Sequence, residues 1–180
     1  KGIVFDDNLA PEYVLDLKEI AKSADGDVDF DALIWSKNKA GKRIYNYSLR
    51  LKLVKEPPQA PIGELIISAA GPSAQTVQGR DLYQDGTLFH GPAFQGVERV
   101  LHVSPGKLVM EVILPRVSPR IQGQFPVQTG NPFVYDAIVQ SLLIWSQQFY
   151  QAPCLPSYME RLEQYKAIPF GEPVHVLLEI

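Results

Sequence analysis

Cysteine is all but missing. Cys154 is the single one in 180 residues, so no internal disulfide can form and the chain fits a reducing, cytoplasmic setting. Three scattered histidines give Cys154 no metal-ligand spacing. No apolar run approaches the length of a membrane span, and no signal-peptide pattern opens the chain. A net charge of -3 without a basic block excludes the electrostatic footprint of a nucleic-acid or anionic-membrane binder. Gly-rich phosphate loops and a G-x-S-x-G elbow are also absent. Any site must be built from plain side chains.

What is present is alternation. The length suits one domain or two small halves. Residues 1–5 read as a short strand. Tyr13, Leu15 and Leu17 alternate with Asp16 and Lys18, the period of a half-buried strand. Asp25-Gly26 is a turn signal leading to Phe30, Ala32 and Ile34. A second turn at Asn38-Lys39-Ala40-Gly41 opens a strand with Tyr45, Tyr47, Leu49, Leu51 and Leu53 on one face. These strands predict an antiparallel meander with an apolar face that nothing in residues 1–54 can cover. The covering helix is expected upstream, and the chain also stops inside an apolar strand, so both ends read as cut.

Glu56 to Pro61 is a proline-rich linker, and residues 62–80 carry mixed signals that suggest a crossing segment. Residues 97–103 and 108–114 predict a hairpin about Pro105-Gly106, its second strand central because Glu111 alone interrupts the apolar pattern. A proline-rich loop follows over residues 115–126. Beyond a break at Pro153-Cys154-Leu155-Pro156, residues 158–165 and 174–180 read as two more strands.

Between loop and break lies the stretch that organises the rest. Asn131 suits a helix N-cap and Pro132 the first helical position. The apolar run to Tyr150 contains no Gly or Pro and predicts one long helix. Asp136 is the only Asp, Glu, Lys, Arg or His between Arg120 and Glu160. Gln140, four residues on, shares a face with it and with Phe133, Ala137 and Ile144. An ionised carboxylate is costly in such surroundings unless paired, so burial is expected to favour its protonated form. The simpler alternative is a carboxylate placed near the positive end of the helix dipole with Gln140 as a local partner. The expected architecture is α+β: an antiparallel sheet wrapped around one long helix, with a second similar sheet beside it and a groove for an apolar ligand between the halves.

Two segments carry a family resemblance. Leu88-Phe89-His90-Gly91-Pro92-Ala93-Phe94-Gln95-Gly96 resembles a [Y/H]-G-P-x-F-Q-G segment, and Asp136-Ala137-Ile138-Val139-Gln140 resembles a D-x-x-x-Q/H helix motif. Both belong, in this order, to the dehydratase domains of modular polyketide and fatty-acid-like synthases, which have a double hotdog fold. Leu155-Pro156 with Arg161 and Tyr165 is similar to the strand after the hotdog helix. Residues 1–5 and Gly123-Gln124-Phe125-Pro126-Val127 look closest to synthases of bacterial glycolipids and polyunsaturated lipids. The resemblance implies that residues 1–57 are the later strands of a first hotdog repeat. Residues 58–79 would then link it to a second, truncated repeat at residues 80–180.

It also implies a reaction: loss of water from a 3-hydroxyacyl thioester on acyl carrier protein, giving a 2-enoyl thioester. Asp136 would be the acid that engages the hydroxyl, and Gln140 would hold Asp136. His90, Gly91, Pro92, Phe94 and Phe133 would line the acyl tunnel. No cofactor is implied beyond the carrier's phosphopantetheine. The implied partners are the carrier protein and neighbouring synthase domains, with a homodimer left open. Arg116 and Arg120 could meet an acidic carrier, although a solvated loop explains them equally. The family's base is a His in an H-x-x-x-G-x-x-x-x-P motif, and no such motif occurs here. The base is therefore expected upstream, and the isolated chain is expected to be inactive or nearly so. His90 also has a simpler reading as a turn histidine satisfied by backbone groups, and Phe89, Phe94 and Phe133 as core. Three alternatives stay open: a product-template or isomerase-type relative on the same fold, a non-catalytic docking module, and a thioesterase. The last fits an Asp–Gln pair less well than proton transfer does.

Overall fold

The computed structural model describes residues 3, 9–56, 58–61, 76–120, 131–166, 168 and 170–180. The chain divides into two compact units, Lys1–Gln59 and Ala60–Ile180.

The first unit is the meander that the alternation predicts. Strands β1 (Tyr13–Lys22), β2 (Val28–Lys37) and β3 (Arg43–Leu53) pair antiparallel in that order. The turns fall where expected: Gly26 takes φ 97° and Gly41 φ 74°, both left-handed conformations that glycine adopts without strain. Residues directly opposite one another share a face, so Leu17, Ala32 and Leu49 line up, as do Leu15, Ile34 and Tyr47. Ala32 on the central strand is buried, while Leu15, Leu17, Tyr47 and Leu49 stay exposed. On the polar side Trp35 Nε1 donates to Asp16 Oδ2 at 2.6 Å, and the Arg43 guanidinium lies 4.0 Å from the Trp35 ring centre. The strand expected at residues 1–5 lies outside the described residues except for Ile3.

The second unit is a hotdog. Strands β4 (Val77–Gln78), β5 (Val97–Ser104), β6 (Lys107–Ile113) and β7 (Pro173–Glu179) form an antiparallel sheet in sequence order. A long helix, α2 (Pro132–Tyr150), packs against β6 and β7. Its caps are the expected ones: Asn131 Oδ1 accepts from the Phe133 N–H at 3.1 Å, with Pro132 at the first helical position. Asn131 Nδ2 also donates to the Ile168 carbonyl, tying the helix start to the segment before β7. Central β6 buries Leu108, Met110 and Val112 almost completely against Phe133, Ala137, Leu143 and Ile144 of α2. Each such side chain contributes about 1.5–3 kcal/mol on burial. Among the described residues no helix is long and apolar enough to cross a membrane.

One expectation needs correction. Residues 158–165 form no strand among those described; Tyr158 is 82% exposed, and Met159 and Leu162 are also exposed. Apolar residues at 158, 159 and 162 do not alternate, so the segment offers no single face for a sheet to bury. The mixed signals before residue 80 conceal β4 and a short helix, α1 (Gly79–Gln84). The segments 62–75, 121–130 and the Gly123–Val127 motif lie outside the described residues.

α1 sits against the start of β5 because Gly79 has no side chain. A Cβ there would stand 1.7 Å from the Val97 carbonyl oxygen. Gly79→Ala must push α1 off the sheet and is expected to cost roughly 1–3 kcal/mol. Gly106→Ala, with nothing within 4 Å of its added Cβ, is expected to stay within about 0.5 kcal/mol of the parent. Urea denaturation of both variants checks the contrast.

Candidate active site

Asp136 and Gln140 lie one turn apart on α2, and their fates differ. Gln140 is completely buried, at 0% exposure. The Asp136 side chain keeps 29% of its surface in solvent. The sealed carboxyl expected from the sequence is therefore only partly buried.

Gln140 is the hub. Its Nε2 donates to Asp136 Oδ2 at 2.7 Å and to the Phe94 carbonyl at 2.9 Å. Its Oε1 accepts from the Tyr83 hydroxyl at 2.8 Å. A buried carboxamide left unpaired would cost about 1–3 kcal/mol for each orphaned group. Here oxygen and nitrogen are both satisfied, by α1 on one side and by the 3-10 turn at Pro92–Phe94 on the other.

His90 enters from the loop before that turn. Its Nε2 lies 3.4 Å from Asp136 Oδ2, within ion-pair reach when the imidazole is protonated, and its side chain is only 10% exposed. Its Nδ1 is buried without a hydrogen-bond partner among the described residues. Phe89 stacks on the ring at 4.5 Å between centres. Gln95 Nε2 holds the His90 carbonyl at 2.9 Å, which is the turn-satisfying role, but played by the backbone rather than by the imidazole.

The other proposed tunnel residues divide. The Phe94 and Phe133 rings pack at 4.7 Å between centres, Phe133 is buried, and Phe170 meets it edge-on at 5.6 Å. Gly91 and Pro92 lie exposed at the head of the turn, where Gly91 precedes the first 3-10 residue and Pro92 opens it. The remaining histidines stand elsewhere. His102 is on β5 opposite Val109, and His175 Nε2 lies 3.8 Å from Glu111 Oε2 on the neighbouring strand.

Sequence reasoning missed Tyr83. Its hydroxyl accepts from the Val97 N–H at 3.1 Å while reaching Gln140, so it joins the sheet to the Asp–Gln pair. The available signal was the i, i+4 spacing from Gly79, which puts the bare glycine and the tyrosine on one face of α1 against Val97.

Among known proteins, a family model described as the polyketide synthase dehydratase N-terminal domain matches residues 67–179. One chain of a polyunsaturated fatty acid synthase from Thraustochytrium sp. is 29% identical over 173 residues, which is 87% of this chain and 6% of that protein. A trans-AT polyketide synthase dehydratase domain from Brevibacillus brevis superimposes with a TM-score of 0.52 at 20% identity, covering 73% of this chain and 46% of that one. The chain thus spans less than half of that solved domain and a small fraction of the fatty acid synthase chain. At this identity the structural likeness establishes the fold.

Burial pushes the Tyr83 hydroxyl up to about 12 from 10.0; backbone N–H groups of Val97 and Gly96 pull it down, and the charges of Asp136 and Glu98 add to the rise. The unfolded chain therefore loses this proton first. The stability contributed is complete below pH 10 and disappears as the pH rises towards 12. A urea midpoint that falls across that window in the parent, and less steeply in Tyr83→Phe, is the expected result.

Proposed function

The chain belongs to the polyketide synthase dehydratase family, and on that premise we propose that it supplies the acid half of a site that dehydrates 3-hydroxyacyl thioesters held on acyl carrier protein. The observation that carries this reading is the asymmetric grip on Asp136. Oδ2 is held by the buried Gln140, while no hydrogen bond reaches Oδ1 among the described residues. One oxygen is anchored and the other has no hydrogen-bond partner among the described residues, an arrangement that suits delivery of a proton to a substrate oxygen.

The elimination then runs as follows. A base removes the proton from C2 of the acyl chain, and that electron pair becomes the C2=C3 double bond. The C3–O bond breaks with its electrons on oxygen, and Asp136 Oδ1–H protonates the departing hydroxyl as water. No net oxidation occurs, so the reaction needs no redox cofactor. Gln140 Nε2–H stabilises the carboxylate left behind.

His90 does not sit in the base's motif, being followed by Gly91 and Pro92, and its Nε2 stands 3.4 Å from Asp136 Oδ2; it is not assigned as the base. The 180 residues contain no H-x-x-x-G-x-x-x-x-P segment, so the base is assigned to a polypeptide segment outside them. On this reading residues 80–180 correspond to a second hotdog repeat and residues 1–57 to strands of a first. The chain alone has little or no turnover, and its partners are the carrier protein and the neighbouring domains of a synthase.

The test joins this chain to the adjoining sequence that carries the motif histidine. That polypeptide is expected to convert a 3-hydroxyacyl thioester to its 2-enoyl product. Asp136→Asn should lower kcat by roughly 10²–10⁴-fold with the melting temperature held. An Asn variant that turns over like the parent would remove Asp136 from the acid's role. Absence of turnover in both, with tight binding to a neighbouring domain, would favour the docking module.

A further inference from the structure

Tyr83 takes no part in the elimination as written, yet it determines which way Gln140 points. A backbone N–H can only donate, so the Tyr83 oxygen is the acceptor at Val97. Its own proton is then directed to Gln140 Oε1. With the carboxamide oxygen turned to Tyr83, both N–H bonds face the other way, one to the Phe94 carbonyl and one to Asp136 Oδ2. A carboxamide rotated by half a turn would set its oxygen against two acceptors at once. The direction of every bond in this series is fixed at the backbone of β5.

The same series reaches the carboxyl. Oδ2 faces the Gln140 N–H at 2.7 Å and His90 Nε2 at 3.4 Å, two groups able to donate. A proton on Oδ2 would meet both; a proton on Oδ1 meets neither. We propose that Tyr83 is a positioning residue for dehydration: by fixing the Gln140 carboxamide it commits Asp136 Oδ2 to accepting and leaves the acid proton on Oδ1. The catalytic half rests on the dehydratase reading above; the bond directions do not. Because burial pushes Tyr83 up to about 12, its hydroxyl remains a neutral donor throughout the physiological range.

The bond directions are measurable in the unaltered chain by NMR, with Gln140 assigned by its loss in Gln140→Glu. Both carboxamide protons are expected to exchange slowly with solvent and to give Overhauser contacts to Phe94 and Asp136. Contacts to the Tyr83 ring in their place would overturn the proposal, and this measurement holds even where a variant does not fold. The kinetic test uses the polypeptide that includes the motif histidine. Tyr83→Phe keeps the ring and removes the hydroxyl; kcat is expected to fall about tenfold with KM changed less than about twofold. Added to Gln140→Ala it should lower kcat no further, because both act on Asp136 through one carboxamide. Additive losses, or a change confined to KM, would leave Tyr83 a merely structural residue and overturn the positioning role. The expected Overhauser contacts in a polypeptide without turnover would overturn the dehydratase reading and the catalytic half, leaving the carboxamide assignment in place.

Discussion

The second unit is organised by the need to satisfy one buried carboxamide. Gln140 sits at 0% exposure in the apolar face of α2, where each unpaired polar atom would cost on the order of 1–3 kcal/mol. Its partners come from three separate pieces of chain: Tyr83 from α1, the Phe94 carbonyl from the 3-10 turn and Asp136 from α2 itself. A loss comparable to several core methylenes follows if any of these pieces moves away. The polar cluster therefore does what a hydrophobic contact does poorly: it fixes the orientation, and not only the proximity, of the elements it joins.

Around that cluster, small residues let backbones approach closely. Gly79 allows α1 to lie against the Val97 carbonyl, and one helical turn later Tyr83 reaches the Val97 N–H. Both polar groups of a single β5 residue are thus faced by α1, one by close packing and one by a hydrogen bond. Pro92 opens the turn that delivers the Phe94 carbonyl, and the Phe94 ring packs on Phe133 in the first turn of α2. Asn131 caps that same turn and holds the Ile168 carbonyl. Sheet, turn and helix are fixed to one another within a few residues of Asp136.

How much of this the sequence showed depends on how far each signal reaches along the chain. The meander of the first unit was legible because alternation over ten residues admits one pairing face, and glycines at 26 and 41 mark its turns. The long helix was legible from Asn131-Pro132 and from an apolar run to Tyr150 without Gly or Pro. α1 was not: six residues give less than two turns, too few for a period to emerge, and its closing contact is with β5 across the sheet. Residues 158–165 misled because apolar content without alternation resembles a buried strand, whereas these residues remain exposed. Asp136 itself was half legible. A lone Asp in an apolar helix identifies the face it occupies but not the depth, and the 29% exposure of its side chain depends on neighbours distant in sequence, His90 among them.

The choice of glutamine beside Asp136 has a physical logic. A lysine or arginine at position 140 would bring a full charge into the buried face of α2. A carboxamide offers a directed N–H with no net charge, so it holds the carboxyl in place in either protonation state. It serves only if it cannot turn over, since its oxygen would repel the carboxylate as its nitrogen attracts it. Preventing that requires a donor on the far side, and a tyrosine hydroxyl already committed as an acceptor to a backbone N–H has no other use for its proton. A serine or threonine on α1 would lack the length to span from β5 to α2. Phenol, carboxamide and carboxyl in that order carry the fixed polarity of a β-strand to Oδ2 of Asp136.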